Sequence, residues 1–176
     1  MEIVVKDKPF KIYLTNQEIE AQIKLLSEKI NLDYIGEEPL FIAILNGSFM
    51  FAAQLYQQIN LPSQITFVKV ASYSGTSSTG KVTSIIGLDT PIAGKHIILV
   101  EDIVDTGNTM HSLLQQLQEH QPASIKIASL IQKPNALQHS ITVDYIGFKI
   151  PNDFIVGYGL DYDGYGRNLP DIYQAV

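Results

Sequence analysis

The chain has 176 residues, 45% of them apolar, no cysteine and a formal charge of −6 at pH 7. That length suits one α/β domain with a real core and is too short for two ordinary domains. The acidic balance argues against general nucleic-acid binding, and without cysteine there is no disulfide framework or thiolate chemistry. The longest apolar runs are a handful of residues, short of a membrane span, and Met1 opens no secretory signal. This composition fits a cytoplasmic protein with no membrane partner.

Residues 1–14 alternate loosely (Ile3, Val5, then Phe10, Ile12, Leu14), which fits an edge strand or part of a small cap. Thr15 with Glu18 three residues on is a capping-box signature, and Ile19, Ile23, Leu26 and Ile30 mark one face of the helix it opens. Leu40 to Leu45 reads as the first buried strand. Asn46-Gly47-Ser48 is then a tight turn into a helix marked by Ala52, Leu55 and Ile59, and its composition alone fits a plain connector. Ile65 to Ala71 reads as a second strand. Ser72 to Lys81 is small, polar and rich in Gly and Ser, the composition of a mobile hairpin tip, with Val82 to Leu88 as its returning arm.

The most informative stretch runs from His96 to Met110. Ile97 to Val100 is an unbroken apolar run rich in β-branched residues, the pattern of a strand covered on both faces. Glu101 and Asp102 follow, where the strand is expected to leave the sheet. Asp105-Thr106-Gly107-Asn108-Thr109 makes a turn, and Met110, Leu113, Leu114 and Leu117 recur at helical spacing. Ligands of open parallel sheets sit beyond the carboxyl ends of the strands. A turn into a helix N-terminus offers free N–H groups and a positive dipole end, to which Thr106 and Thr109 add hydroxyls. Beside such an anion cradle, two carboxylates can accept hydrogen bonds from sugar hydroxyls or help hold a hard cation. A phosphorylated sugar fits every part.

Ser124 to Leu130 reads as a further parallel strand, followed by Lys133 at its exit. Tyr145 to Pro151 and Phe154 to Tyr162 close the chain with aromatic residues, more often core than ligand-stacking. No internal repeat or linker divides it. These elements predict a single α/β domain with a central parallel sheet flanked by helices.

Val100-Glu101-Asp102-Ile103-Val104-Asp105-Thr106-Gly107-Asn108-Thr109 resembles the phosphoribosyl-pyrophosphate-binding motif of the type I phosphoribosyltransferases. More narrowly, Leu40 to about Leu169 resembles the hypoxanthine and hypoxanthine-guanine phosphoribosyltransferases. This resemblance implies transfer of a phosphoribosyl group from phosphoribosyl pyrophosphate to a 6-oxopurine, with Mg2+ as cofactor. It also implies roles residue by residue. Glu101 and Asp102 position the ribose and stabilise its developing cation. Asp105 to Thr109 hold the 5′-phosphate, and Asp105 lies near the purine's imidazole nitrogen as a proton acceptor. Asn46, Gly47 and Arg167 meet the pyrophosphate, and Ser72 and Tyr73 belong to a flexible lid at about 72–81. Lys133 donates to the exocyclic oxygen of the purine, Phe154 stacks on it, and Ile155 meets its edge through the main chain. Asp161 joins Glu101 and Asp102 at the metal and borders the base site. A small hood is expected from the N-terminal segment and about residues 133–162, and the assembly is expected to be a homodimer or homotetramer.

Two departures stand out. Asn46 occupies a position where many relatives have lysine, and Asn135 to His139 lacks arginines common there. Two other readings share these motifs: an enzyme preferring xanthine or guanine, and a regulator that binds phosphoribosyl pyrophosphate without turnover.

Overall fold

A computed structural model describes residues 2–74 and 81–176, the side chains from 71 to 84 excepted. Six strands form the main sheet in the order β5-β4-β3-β6-β7-β8. They are β3 (Leu40–Leu45), β4 (Gln64–Ser74), β5 (Lys81–Ile86), β6 (His96–Val104), β7 (Ser124–Gln132) and β8 (Tyr145–Lys149). All neighbours are parallel except β4 and β5, which form the expected hairpin. Chain order therefore reverses between β3 and β6, whose carboxyl ends leave a crevice where the connections diverge.

The helices cover both faces. Helix α1 (Asn16–Asp33) starts at a Thr15 cap whose side chain accepts from Glu18 N–H, while Glu18 reaches back to Thr15 N–H at 2.8 Å. Its stripe Ile19, Ile23, Leu26 and Ile30 packs with Phe51, Ala52 and Leu55 of α2 (Phe49–Tyr56) onto one face. Each such side chain contributes about 1.5–3 kcal/mol relative to exposure. On the opposite face, Met110, Leu113 and Leu117 of α3 (Asn108–Gln118) meet Leu40, Ile42, Ile97 and Leu99. β3 and β6 are thus apolar on both sides, as their unbroken runs require.

A second, four-stranded antiparallel sheet has the order β1-β2-β10-β9. It consists of β1 (Glu2–Val5), β2 (Lys8–Leu14), β9 (Ile155–Val156) and β10 (Ile172–Ala175), with Val5, Phe10, Val156 and Tyr173 as its core. Of the hood expected from the N-terminal segment and about residues 133–162, β1, β2 and β9 lie in this small sheet. β8 pairs with β7 in the main sheet, with Tyr145 fully buried, and β10 from beyond residue 162 joins the small sheet. A correction concerns Glu101 and Asp102. They do not mark the exit of β6 but lie within it, each 8% exposed, and the strand continues to Val104. Its pairing with β7 continues past them, from Glu101 opposite Ser129 to Val104 opposite Gln132, which holds the acidic pair inside the sheet.

Candidate active site

A cleft of about 310 Å³ opens at the carboxyl ends of β3 and β6. Its floor is the acidic pair. Asp102 N–H donates to Glu101 Oε1 at 3.2 Å, and Ile103 N–H donates to Asp102 Oδ1 at 2.9 Å. Burial, and after it the negative charge of Asp102, pushes the Glu101 carboxyl well above the ordinary carboxylate range. The same burial makes the charged form of Glu101 costly beside Asp102.

The turn after β6 forms the second wall. Gly107 takes a left-handed conformation (φ +79°), and a Cβ there would come within 2.6 Å of Ile141 Cδ1. Glycine therefore lets the chain turn under residues 137–141 and start α3. Gly107 supplies no capping side chain; Thr106 Oγ1 accepts from Asn108 N–H at 3.3 Å, and Thr106, Gly107 and Thr109 line the cleft at this helix N-terminus. Anions are favoured there by the helix dipole as well.

The third wall comes from Asn46 and Gly47 after β3, with Asp161 and Arg167 from the turns preceding β10. A Cβ on Gly47 would collide with the Asp102 carboxylate, and one on Gly159 would collide with Gly47 O. Two glycines therefore let the loop after β3 pass between the acidic pair and the later segment. Arg167 fixes that segment: Nη1 donates to Gly159 O at 2.7 Å and Nη2 pairs with Asp161 Oδ1 at 2.7 Å. Gly164 N–H donates to the other oxygen, Asp161 Oδ2, at 2.6 Å.

Lys133 stands at the end of β7. Its N–H donates to Val104 O at 3.0 Å, and its buried ammonium reaches Asp105 Oδ2 at 3.0 Å. Phe154 is 44% exposed beside Phe10 and Tyr162, whose ring meets it edge-on at 5.5 Å. Ile155 is buried in β9 opposite Gln174.

Residues 10–163 match the family described as the phosphoribosyl transferase domain. The chain belongs to the phosphoribosyltransferase family. It is 43% identical over 161 residues to the hypoxanthine-guanine phosphoribosyltransferase of Lactococcus lactis, covering 91% of this chain and 87% of that one. It is 40% identical over 177 residues to the enzyme of the same name from Mycobacterium tuberculosis, covering 93% and 88%. Among solved structures, a hypoxanthine-guanine phosphoribosyltransferase from Bacillus anthracis superposes with a TM-score of 0.87 at 37% identity, covering 94% of this chain and 98% of that one. A hypoxanthine phosphoribosyltransferase from Staphylococcus aureus gives 0.88 at 39%, covering 94% and 91%.

In this phosphoribosyltransferase the fold brings most of the predicted residues to one cleft: Asn46, Gly47, Glu101, Asp102, Asp105, Thr106, Gly107, Thr109, Asp161 and Arg167. Lys133 adjoins it through Asp105, while Asn108, Phe154 and Ile155 lie off its lining. Ser72 and Tyr73 lie in β4 by backbone, and their side chains, with the rest of the predicted lid, fall outside the described residues. Among the described residues no three His, Cys, Asp or Glu side chains stand close enough together to share a metal, while Glu101, Asp102 and Asp161, the expected metal set, all line the cleft. Glu101 is buried within β6, and Asp161 is held by Arg167. Gly159 was passed over in the sequence. Its signal is the Gly157-Tyr158-Gly159 run, in which all three residues take positive φ.

Proposed function

We propose that this phosphoribosyltransferase transfers the 5-phosphoribosyl group from phosphoribosyl pyrophosphate to hypoxanthine, and to guanine, giving the nucleoside monophosphate and pyrophosphate in purine salvage. The observation that carries the reading is the meeting of Asp105 and Lys133: the residue opening the phosphate turn touches a cation suited to a purine oxygen. An ammonium has donors and no acceptor, so it matches the carbonyl of a 6-oxopurine. When the base enters, Lys133 turns to that oxygen, and Asp105, released, accepts the proton from the base's imidazole nitrogen.

The turn from Asp105 to Thr109 pins the 5′-phosphate and so fixes the reacting carbon against the base. Glu101 and Asp102 hold the ribose hydroxyls under the ring that becomes cationic, and the negative charge the pair carries favours it. The loop at Asn46 and Gly47, with Arg167, receives the pyrophosphate. Asn46 brings no charge there, so the planar guanidinium of Arg167 carries that contact. Phe154 and Ile155 complete the base site, and Ser72 and Tyr73 belong to a segment that keeps water from the reacting carbon.

Magnesium fits this donor set as an ion brought by the substrate. It needs one or two carboxylates and completes its shell with phosphate oxygens and water, so Asp102 and Asp161 on opposite walls of the cleft suffice. Bound there, it would neutralise the leaving pyrophosphate. A dimer or tetramer and a cytoplasmic location belong to the same reading. No helix among the described residues is long and apolar enough to cross a membrane. Mixing the protein with magnesium, phosphoribosyl pyrophosphate and hypoxanthine tests the proposal: equal amounts of inosine 5′-monophosphate and pyrophosphate should form. Binding of phosphoribosyl pyrophosphate without product would favour the regulator instead.

A further inference from the structure

The turn that carries Asp161 and Arg167 into the cleft is fastened on its inner side by Arg167 and by Gly164 N–H. Its outer side is fastened by the opposite end of the chain. Lys6 and Asp7 close the two-residue hairpin between Val5 and Lys8, and each of the residues from Lys6 to Lys8 meets this turn. Lys6 Nζ pairs with Asp163. The Tyr162 hydroxyl donates to Asp7 Oδ1 at 2.8 Å. The Lys8 ammonium stands 4.8 Å from the centroid of the Tyr162 ring and 5.5 Å from that of Phe154. Lys6 holds φ +55° to make the hairpin, a left-handed conformation that is costly for an ordinary residue and is usually filled by glycine or asparagine in such turns.

Tyr162 reaches the base side of the cleft in two ways. Its backbone follows directly on Asp161, which lines the cleft. Its ring meets Phe154 edge-on, with centroids 5.5 Å apart and planes at 86°, the arrangement that aromatic quadrupoles favour. Phe10 packs beside both rings, at 6.0 Å from Phe154 and 6.3 Å from Tyr162. Phe154 is 44% exposed, so its plane depends on these few neighbours. Tyr162 is itself only half-buried, and the bond to Asp7 holds the far end of its ring. That hydroxyl, first among the causes, keeps the Asp7 carboxyl below its ordinary range, so the acceptor is a carboxylate and the bond a charge-assisted one.

We infer that Asp7 is a positioning residue of the base site: through the Tyr162 hydroxyl it holds the Tyr162 ring against Phe154 and so fixes the plane on which the purine stacks. This rests on reading Phe154 as the base-stacking residue. Asp161 and Arg167 keep their bonds to each other, to Gly164 N–H and to Gly159 O without Asp7. Loss of the Asp7 bond therefore loosens the base side and leaves the phosphoribosyl-pyrophosphate side in place.

Steady-state kinetics of the full chain, with hypoxanthine and phosphoribosyl pyrophosphate varied in turn, reads the two sides separately. Tyr162→Phe keeps the ring and removes the hydroxyl, and Asp7→Ala removes the acceptor. Each should raise the KM for hypoxanthine roughly 3- to 10-fold, the value of one side-chain hydrogen bond, with kcat and the KM for phosphoribosyl pyrophosphate nearly unchanged. The double variant should lose no more than either single one, because both delete the same bond. Asp7→Asn, whose amide oxygen still accepts, should stay close to the native protein. An unchanged hypoxanthine KM in the two single variants, equal rises for both substrates, or losses that add in the double variant overturn the inference. Phe154→Ala should also raise the KM for hypoxanthine; if it does not, the base-site reading fails and the inference with it.

Discussion

Lys133 and Asp105 form an ion pair across the ends of β7 and β6, 3.0 Å from Nζ to Oδ2. The lysine side chain is 10% exposed and the aspartate 46%. The ammonium therefore cannot turn to water when the base arrives, and it needs a new acceptor. A 6-oxopurine supplies one, together with an imidazole N–H for Asp105. Lys133→Met should lower kcat/KM for hypoxanthine roughly 10- to 100-fold, the value of a charge-assisted hydrogen bond. The KM for phosphoribosyl pyrophosphate should stay nearly unchanged, because the carboxylate left behind is half exposed. Steady-state kinetics with each substrate varied in turn checks this, and equal losses on both sides would contradict separate subsites.

Glu101 links the site to stability. Because burial raises its carboxyl well above the ordinary range, the folded chain holds this proton more tightly than the unfolded chain does. Its contribution is fully present below the unfolded value of roughly 4.3 and is lost as pH rises through the folded value. Glu101→Gln removes the titration. It should raise the melting temperature at pH 8 by about 2–4 °C for each kcal/mol recovered, with little change at pH 4. Catalysis should fall in the same variant. Thermal melts at the two pH values decide the point, and an equal shift at both would refute it.

Gly159 tests the packing that shapes the cleft. It sits at φ +95°, and a Cβ there would collide with Gly47 O. Gly159→Ala should part the loop after β3 from the segment bearing Asp161 and Arg167. Displacement near 1 Å costs about 100-fold in rate, whereas the folding cost should be about 1–3 kcal/mol. Urea unfolding beside kinetics separates the two effects, and unchanged turnover would show that the contact does not set the geometry.

Much of this was legible beforehand because it is local. The Thr15–Glu18 capping box, the apolar run of β3 and the turn from Asp105 to Thr109 are each written in consecutive residues. What was not legible depends on distance along the chain. Phe10 pairs with Ala175 and Ile12 with Tyr173, so the small sheet joins opposite ends of the sequence. Two adjacent acids after an apolar run look like an exit, yet tertiary pairing with β7 keeps Glu101 and Asp102 inside β6. The fit of Gly159 to Gly47, and of Tyr162 to Asp7, exists only once the turns are in place.

Divalent cation removal should abolish turnover. The cleft sets Asp102 and Asp161 on facing walls, and among the described residues no three carboxylates stand close enough to share an ion, so the ion depends on the substrate's own phosphates for most of its shell. Product formation should therefore stop in excess chelator and return on adding magnesium, while the melting temperature of the substrate-free protein stays unchanged. Full turnover in chelator, or a chelator-induced drop in that melting temperature, would contradict this.

The central claim, that Lys133 beside Asp105 selects a 6-oxopurine for phosphoribosyl transfer, is tested most directly by competition between bases. Pyrophosphate release should be measured with magnesium, phosphoribosyl pyrophosphate and either hypoxanthine or adenine, and then with both. A site built around one hydrogen bond can reject the analogue lacking it by roughly 10⁴-fold. Hypoxanthine should therefore be consumed and adenine left almost untouched, even in excess. Adenine competing on equal terms with hypoxanthine would contradict the account.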